Sequence, residues 1–156
     1  MGGDYYDFFP ENNDESLYVV VGDATGHGLT SGNVVSITKT AMSSLVEEAP
    51  VPTLDSLNTT LLKMNIGLNR MCLNIANLGK DSIRFSSAGM PPAYYYNAEK
   101  GELEEILVGA LPLGSLPGAM HMEQEIAFKN SGDILVMMSD GLPEAENDKD
   151  EMVGYE

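Results

Sequence analysis

Four aspartates of this chain could do chemistry together: Asp4 and Asp7 lie in the segment Gly2-Gly3-Asp4-Tyr5-Tyr6-Asp7, and Asp23 and Asp140 each follow an apolar run. Asp23 comes after the apolar run 17–21 and Asp140 after the apolar run 134–138, each at the start of a turn. A short apolar run predicts a buried strand, which delivers the carboxylate that follows it to one end of a sheet. Such carboxylates repel one another, and burying them without a counter-charge is costly. A hard divalent cation removes that cost, so the pattern predicts a metal site built from aspartates.

The residues around these aspartates suit metal chemistry with oxygen ligands. Glycines surround Asp23 in Gly22-Asp23-Ala24-Thr25-Gly26-His27-Gly28, where they let the backbone approach an ion and offer a carbonyl as a ligand. Paired Mg²⁺ or Mn²⁺ ions about 3.5–4 Å apart can activate a water and neutralise a phosphoryl group. The alternative is that Asp23 and Asp140 only form turns and cap helices. His27 could protonate a leaving oxygen, but a loop histidine with a structural hydrogen bond is favoured and we assign it no catalytic role.

The bulk composition narrows the function classes. A chain of 156 residues with 43% apolar residues is long enough for a folded core. Its net charge of −16 argues against binding nucleic acid or an anionic membrane surface, which both attract basic patches. The single cysteine, Cys72, excludes an internal disulfide, fits a reducing compartment and is interpreted as a buried structural thiol. No apolar run reaches the ~18 residues of a membrane helix, and no signal peptide is visible.

The periodicity of apolar residues predicts helices in the first half of the chain and strands in the second. After a strand at 17–22, spacing typical of one helical face runs over Leu29–Glu48, and Pro50 and Pro52 are expected to end that helix. A second helix is predicted to begin with Thr53 as its N-cap. The strand-like segments that follow are 72–77, 82–87, 93–96, 103–107, 122–128 and 134–138. Because helices and strands do not alternate throughout, we predict an α+β sandwich of largely antiparallel sheets with the helix pair on one face.

Several motifs occur in an order that resembles a known family. They are Gly2-Gly3-Asp4-Tyr5-Tyr6-Asp7, Gly22-Asp23-Ala24-Thr25-Gly26-His27-Gly28, Ala88-Gly89-Met90-Pro91-Pro92, Leu111-Pro112-Leu113-Gly114, Gly132-Asp133 and Ser139-Asp140-Gly141-Leu142-Pro143-Glu144. Over essentially the entire chain, their order and separations resemble those of the bacterial PPM-type serine/threonine phosphatases of the SpoIIE/RsbU group. The resemblance implies an α-β-β-α sandwich with a two-metal site, usually manganese or magnesium, at one end of the central sheets. It also implies direct hydrolysis of phosphoserine or phosphothreonine by metal-activated water, without a phosphoenzyme.

The resemblance assigns roles to individual residues. Asp4 matches the first metal-binding aspartate of the family, and Asp23 matches the aspartate that bridges both metals. Ala24 stands where a backbone carbonyl is a ligand, and Asp140 matches the aspartate of a later metal-binding strand. Asp7 is expected to orient a metal-bound water rather than to bind a metal.

Two departures from the family pattern carry expectations of their own. Where many relatives have histidine in the Ala-Gly-His-Pro-Pro motif, this chain has Met90, which is expected to affect packing or substrate contact rather than the metals. The family's last metal-binding aspartate is expected beyond Glu156, and its first strand before Met1. We therefore expect residues 1–156 to be one phosphatase domain, truncated at both ends.

The resemblance also suggests the setting in which the domain works. It implies a phosphorylated STAS-type anti-sigma-factor antagonist as substrate, an upstream sensor domain, a cytoplasmic location that can be tethered to a membrane sensor, and a possible homodimer. The alternative is a non-catalytic module that keeps the phosphatase fold and binds a partner in bacterial signalling. Retention of Asp4, Asp23 and Asp140 favours the enzyme, because a scaffold has no need for three repelling carboxylates.

Overall fold

The computed structural model describes residues 2–10, 16–45, 49–149 and 151–154. Within these ranges the elements are β1 Asp4–Pro10, β2 Leu17–Ala24, α1 Leu29–Leu45, α2 Pro50–Met64, β3 Met71–Leu78, β4 Ser82–Ala88, β5 Ala93–Asn97, β6 Glu102–Ile106, β7 Glu123–Ala127 and β8 Ile134–Val136. Neither helix of this described part has the length and apolar character needed to cross a membrane.

The strands form two antiparallel sheets. One sheet has the order β1-β2-β3-β4-β7 and the other has the order β6-β5-β8, with every named pair antiparallel. Hairpins connect β3 to β4 and β5 to β6, as the succession of short apolar segments predicted, and β1 pairs with β2. The chain crosses from the first sheet to the second through the turn after β4.

Two apolar cores hold the layers together. Side chains alternate between the two faces of a strand, so Val20 of β2 and Leu73 of β3 face the helices, where they pack with Leu57 of α2. Ala76 of β3 instead belongs to the core that the five-stranded sheet shares with Tyr95 of β5. The predicted α+β sandwich of antiparallel sheets with a helix pair is confirmed, and in the described residues both helices cover the five-stranded sheet.

The sequence prediction does not include β1, and it places the start of α2 too late in the chain. The sequence predicts that Pro50 and Pro52 end the first helix and that the second helix begins after them, at Thr53. In the structure Pro50 itself begins α2, and the N-cap is Ala49. Proline is tolerated in the first helical turn because the amide it lacks has no partner there. Thr53 therefore lies inside the helix, so its predicted role as N-cap is wrong. The predicted end of the first helix at Glu48 falls outside the described residues.

The loop between β6 and β7 braces the end of the five-stranded sheet. The Asn58 side chain on α2 accepts a hydrogen bond from the Gly114 amide at 2.8 Å. Leu113 exchanges two backbone hydrogen bonds with Met71, at 3.1 and 2.8 Å. Met71 is in turn the register partner of Ala24 on β2. The loop thus ties α2 to the sheet end at which Asp23 lies.

Candidate functional site

Asp4 and Asp23 are direct partners across the β1–β2 ladder. Opposed residues of an antiparallel pair project from the same face, so the two carboxylates lie on one side of the sheet. Gly3 allows this close approach: its carbonyl accepts a hydrogen bond from the Ala24 amide at 3.0 Å. A Cβ at Gly3 would lie 2.1 Å from the Ala24 carbonyl oxygen and 2.6 Å from Asp23 Oδ1. Glycine at this position is therefore a steric requirement of the site.

Asp140 reaches the same place from the other sheet. It follows β8, and its charge acts on Asp23 together with the charge of Asp4. Burial first, and then the charges of Asp140 and Asp4, raise the pKa of Asp23, although the Ala24 amide lowers it in part. Asp4 and Asp140 are exposed, while Asp23 is half-buried between them. The structure thus brings the three predicted aspartates together at one end of the two sheets.

The turn after β2 is fixed by reciprocal hydrogen bonds. The Thr25 amide donates to the Arg70 carbonyl at 3.0 Å, and the Arg70 amide donates to Thr25 Oγ1 at 2.8 Å. Ala24, the predicted carbonyl ligand, is buried immediately before this clasp. His27 follows it and is exposed, and its carbonyl accepts a hydrogen bond from Thr30 Oγ1 at 3.2 Å. The turn therefore holds a backbone carbonyl next to Asp23 with little freedom to move.

Asp7 lies on the opposite face of β1 from Asp4. The two residues are three positions apart, so their side chains project to opposite faces, and Asp7 points toward α1, where it pairs with Lys39 Nζ at 2.9 Å. It also accepts a hydrogen bond from the Tyr5 hydroxyl at 3.4 Å. Burial alone would raise the pKa of Asp7, but the hydrogen bond from Lys39 and that from the Phe8 amide hold it below its usual range. No described contact places Asp7 among the other aspartates, and its expected role in orienting water stays a prediction.

Cys72 is a neighbour of the site that the sequence did not reveal. It is the register partner of Asp23 on β3 and is partly buried. Burial, followed by the charges of Asp23 and Asp140, raises the pKa of its thiol to about 11. The thiol is therefore neutral at physiological pH, in agreement with a structural rather than a nucleophilic cysteine.

A cleft of about 440 Å³ adjoins Asp140. Its lining is Gly89, Met90, Pro91, Pro92, Tyr94, Glu105, Asp140 and Glu144. The cleft thus joins the turn between the two sheets to one of the site aspartates. The sequence left open whether Met90 serves packing or contacts substrate. In the structure Met90 lines this cleft.

The three aspartates do not form a closed shell. Among the described residues, no group of three or more histidine, cysteine, aspartate or glutamate side chains is arranged to hold a metal ion. Whether Asp4, Asp23, Ala24 and Asp140 bind metal therefore stays a prediction.

The architecture is that of the PP2C phosphatases. The SiaA-PP2C domain of Pseudomonas aeruginosa superimposes with a TM-score of 0.82 at 17% identity, over 98% of this chain and 62% of that one. The RsbU and RsbW domains of Rv1364c from Mycobacterium tuberculosis superimpose with a TM-score of 0.74 at 26% identity, over 94% of this chain and 41% of that one.

Sequence comparison identifies the family within this fold. The profile of the Stage II sporulation protein E (SpoIIE) family matches residues 13–156, so the chain belongs to the SpoIIE family. It is 28% identical over 159 aligned positions to the phosphoserine phosphatase RsbU of Bacillus subtilis (strain 168). The alignment covers 95% of this chain and 44% of RsbU, so the chain spans less than half of that relative's length. The predicted SpoIIE/RsbU-like membership is confirmed.

Proposed function

We propose that this chain is the phosphatase domain of a bacterial signalling protein and hydrolyses phosphoserine or phosphothreonine in a protein substrate with the help of divalent cations. The observation that supports it most is the convergence of Asp4, Asp23 and Asp140 from two sheets onto one end of the sandwich. Family membership and the similarity to a named phosphoserine phosphatase point the same way.

The residues at this end suit hard cations. Asp4, Asp23, Asp140 and the Ala24 carbonyl offer only oxygen, which is the donor set that magnesium and manganese take. Burial, and after it the charges of Asp140 and Asp4, raise the pKa of Asp23, and a cation would stabilise the ionised carboxylate against both. Asp4 and Asp140 are exposed and free to rotate toward an ion, whereas Asp23 is fixed in the ladder. These four donors would hold the two divalent ions that the family resemblance implies.

When bound, divalent cations supply a water of lowered pKa and neutralise the charge on the transferring phosphoryl group. The chain's own residues do the positioning. Asp23 and Ala24 are held by the β1–β2 ladder and by the Thr25–Arg70 clasp, so the donors keep their place when charge builds up. Bare carboxylates repel a phosphate, which explains why the same residues cannot bind the substrate alone.

The biological setting follows from the relatives. We infer a phosphorylated STAS-type anti-sigma-factor antagonist as the substrate, because the similar B. subtilis protein is named a phosphoserine phosphatase and the M. tuberculosis protein combines an RsbU with an RsbW domain. We further infer an upstream sensor domain, cytoplasmic action and assembly as a homodimer.

The second candidate is a non-catalytic binding module with the phosphatase fold. The observation that favours it is the lack of a closed metal-binding group among the described side chains. The two candidates differ in whether a divalent cation brings about turnover.

The test is hydrolysis of p-nitrophenyl phosphate with and without Mn²⁺. We expect manganese-dependent turnover that falls about 10³-fold in Asp23→Asn, a loss of several kcal/mol of charge stabilisation. Asp81→Asn is the matched control, because Asp81 is exposed in the turn between β3 and β4, at the opposite end of the sheet from Asp23, and it should retain most of the activity. A folded, manganese-insensitive and inactive wild-type protein would replace the enzyme with the binding module.

A further inference from the structure

The cleft beside Asp140 has a wall built by the second sheet. Tyr94 of β5 is opposed to Glu105 of β6 on one side and to Val136 of β8 on the other. Opposed residues share a face, so Glu105, Tyr94 and Val136 form one row across this sheet. The chain leaves β8 just after Val136 and reaches Asp140, which also lines the cleft. The cleft therefore runs from the candidate metal site to the row that Glu105 begins.

The charged groups of the cleft are acidic and unpaired. Glu105 and Glu144 are exposed, and no described lysine, arginine or histidine forms an ion pair with either. Glu144 is held near Asp140, because its amide donates a hydrogen bond to the Asp140 carbonyl at 2.9 Å. With Asp140 assigned to the metals, two carboxylates remain that have no counter-charge among the residues that the structure describes.

The apolar part of the lining comes from the turn between the sheets. Met90, Pro91 and Pro92 belong to this turn, and the Tyr94 ring of the second sheet adds an aromatic face beside them. Asn74 supports the turn from below, because its Nδ2 donates to the Pro91 carbonyl at 3.4 Å. Apart from the Tyr94 hydroxyl, the side-chain oxygens that line the cleft belong to carboxylates, so a complementary ligand must donate.

We propose that this cleft binds a lysine or arginine side chain of the substrate, close in sequence to the phosphorylated residue. The inference rests on the proposed function, since Asp140 places the cleft beside the phosphate site. Such a side chain matches both walls: its methylene stem packs on Met90 and Tyr94, and its cationic head reaches Glu105 and Glu144. A phosphate or an acidic segment is repelled by the same carboxylates, and a bare metal ion has no closed group of ligands among the described residues.

Binding of non-hydrolysable peptides tests the inference. The peptides carry a phosphonate analogue of phosphoserine in an alanine background, with one lysine placed in turn at each of the three positions on either side. In a matched set, norleucine replaces lysine, which keeps the stem and removes the charge. Dissociation constants are measured by fluorescence anisotropy with the wild-type chain in Mg²⁺. We expect lysine to bind about fivefold more tightly than norleucine at one or two positions, the size of a partly exposed ion pair.

The variants separate the cleft from the general acidity of the protein. Glu105→Gln/Glu144→Gln should abolish the preference for lysine, whereas Glu99→Gln/Glu102→Gln changes the net charge equally and should keep it. Glu99 and Glu102 are exposed and lie outside the lining of the cleft. Met90→Ala should weaken the lysine and norleucine peptides alike.

Two results would overturn the inference: equal binding of lysine and norleucine at every position, or a preference that survives in the Glu105→Gln/Glu144→Gln variant. Hydrolysis of p-nitrophenyl phosphate distinguishes these failures from failure of the proposed function. Turnover without a lysine preference removes the cleft assignment alone. A lysine preference without turnover removes the phosphatase and leaves a phosphopeptide-binding cleft.

Discussion

The two faces of the β1–β2 hairpin treat the same residue type in opposite ways. On the helix face, Asp7 meets Lys39 at 2.9 Å, and its pKa is held below the usual range. On the other face, Asp23 meets burial and the charges of Asp140 and Asp4, and its pKa is raised. The helix face balances its charge within the protein, whereas the opposite face accumulates charge that the described residues leave unbalanced.

The difference separates a carboxylate that is balanced within the protein from one that is not. A cation and two hydrogen-bond donors contact Asp7. The ionised form of Asp23 is instead disfavoured by burial and by its acidic neighbours, which is the condition under which a bound cation would stabilise it.

The largest effect is expected at the two ends of β8. Asp140→Asn should lower manganese-dependent turnover at least about 100-fold, because it removes one anionic oxygen from the metal set. Asp133, before the same strand, instead accepts hydrogen bonds from the Ala98 and Asn130 amides at 2.9 and 3.0 Å. Asp133→Asn should reduce the melting temperature and leave kcat nearly unchanged. Equal losses of kcat in both variants would contradict the division of roles.

Gly3 offers a steric test of the same face. Gly3→Ala places a methyl group 2.1 Å from the Ala24 carbonyl oxygen, so we expect a loss of about 1–3 kcal/mol in the free energy of unfolding and weaker metal binding. Gly2→Ala is the matched control, because its nearest neighbour would be 3.6 Å away. Urea denaturation of both variants gives the comparison, and similar midpoints would show that the backbone contact is not needed.

Removing charge should change stability in opposite directions on the two faces. Without divalent cations at pH 7, Asp7→Asn should lower the free energy of unfolding by about 1 kcal/mol, because Lys39 is left without its partner. The loss is no larger because the Lys39 side chain is 64% exposed and water screens the ion pair. Asp23→Asn should raise the free energy of unfolding by up to about 1 kcal/mol, because a buried charge and its repulsion from Asp140 and Asp4 are removed. Thermal denaturation with EDTA measures both, and a destabilised Asp23→Asn would mean that Asp23 is structural.

The smallest effect is the pH dependence of the Asp7 pair. A carboxyl group whose folded pKa is lowered stabilises the protein above its ordinary value of 3.8 and loses that contribution as the pH falls through the lowered pKa. The stability difference between the wild type and Asp7→Asn should therefore be full at pH 6 and shrink below about pH 4. Urea midpoints between pH 3 and pH 7 measure it, and a constant difference would remove the ion pair as the cause.

The sequence predicted the elements well where local patterns decide them. The apolar run before Asp23 is strand β2, whose residues are buried or half-buried. The run 134–138 before Asp140 forms strand β8 only over Ile134–Val136, and Ile134 and Val136 are exposed rather than buried as predicted. The sequence prediction missed β1, since the aromatic and acidic residues of Asp4–Pro10 also suit a turn followed by a loop, and only pairing with β2 decides between them. Family resemblance then supplied the roles that spacing left open.

Other features depended on three-dimensional neighbours. No sequence signal pairs Asp7 with Lys39, because the contact joins a strand to a helix that follows another strand. Likewise, Cys72 faces Asp23 only through the β2–β3 register. The cleft beside Asp140 combines residues of the three-stranded sheet, the turn between the two sheets and the segment after β8, so Met90 gained a position only from the structure.

Isothermal titration with Mn²⁺ measures whether the sheet face that carries Asp4 and Asp23, together with Asp140, binds divalent cations. The wild type and Asp7→Asn should bind manganese, with two ions for each chain, whereas Asp23→Asn should bind at least about tenfold more weakly, as expected when a shared ligand is lost. Equal binding by the wild type and Asp23→Asn, or no binding by either, would contradict the account, because the clustered aspartates would then not be a metal site.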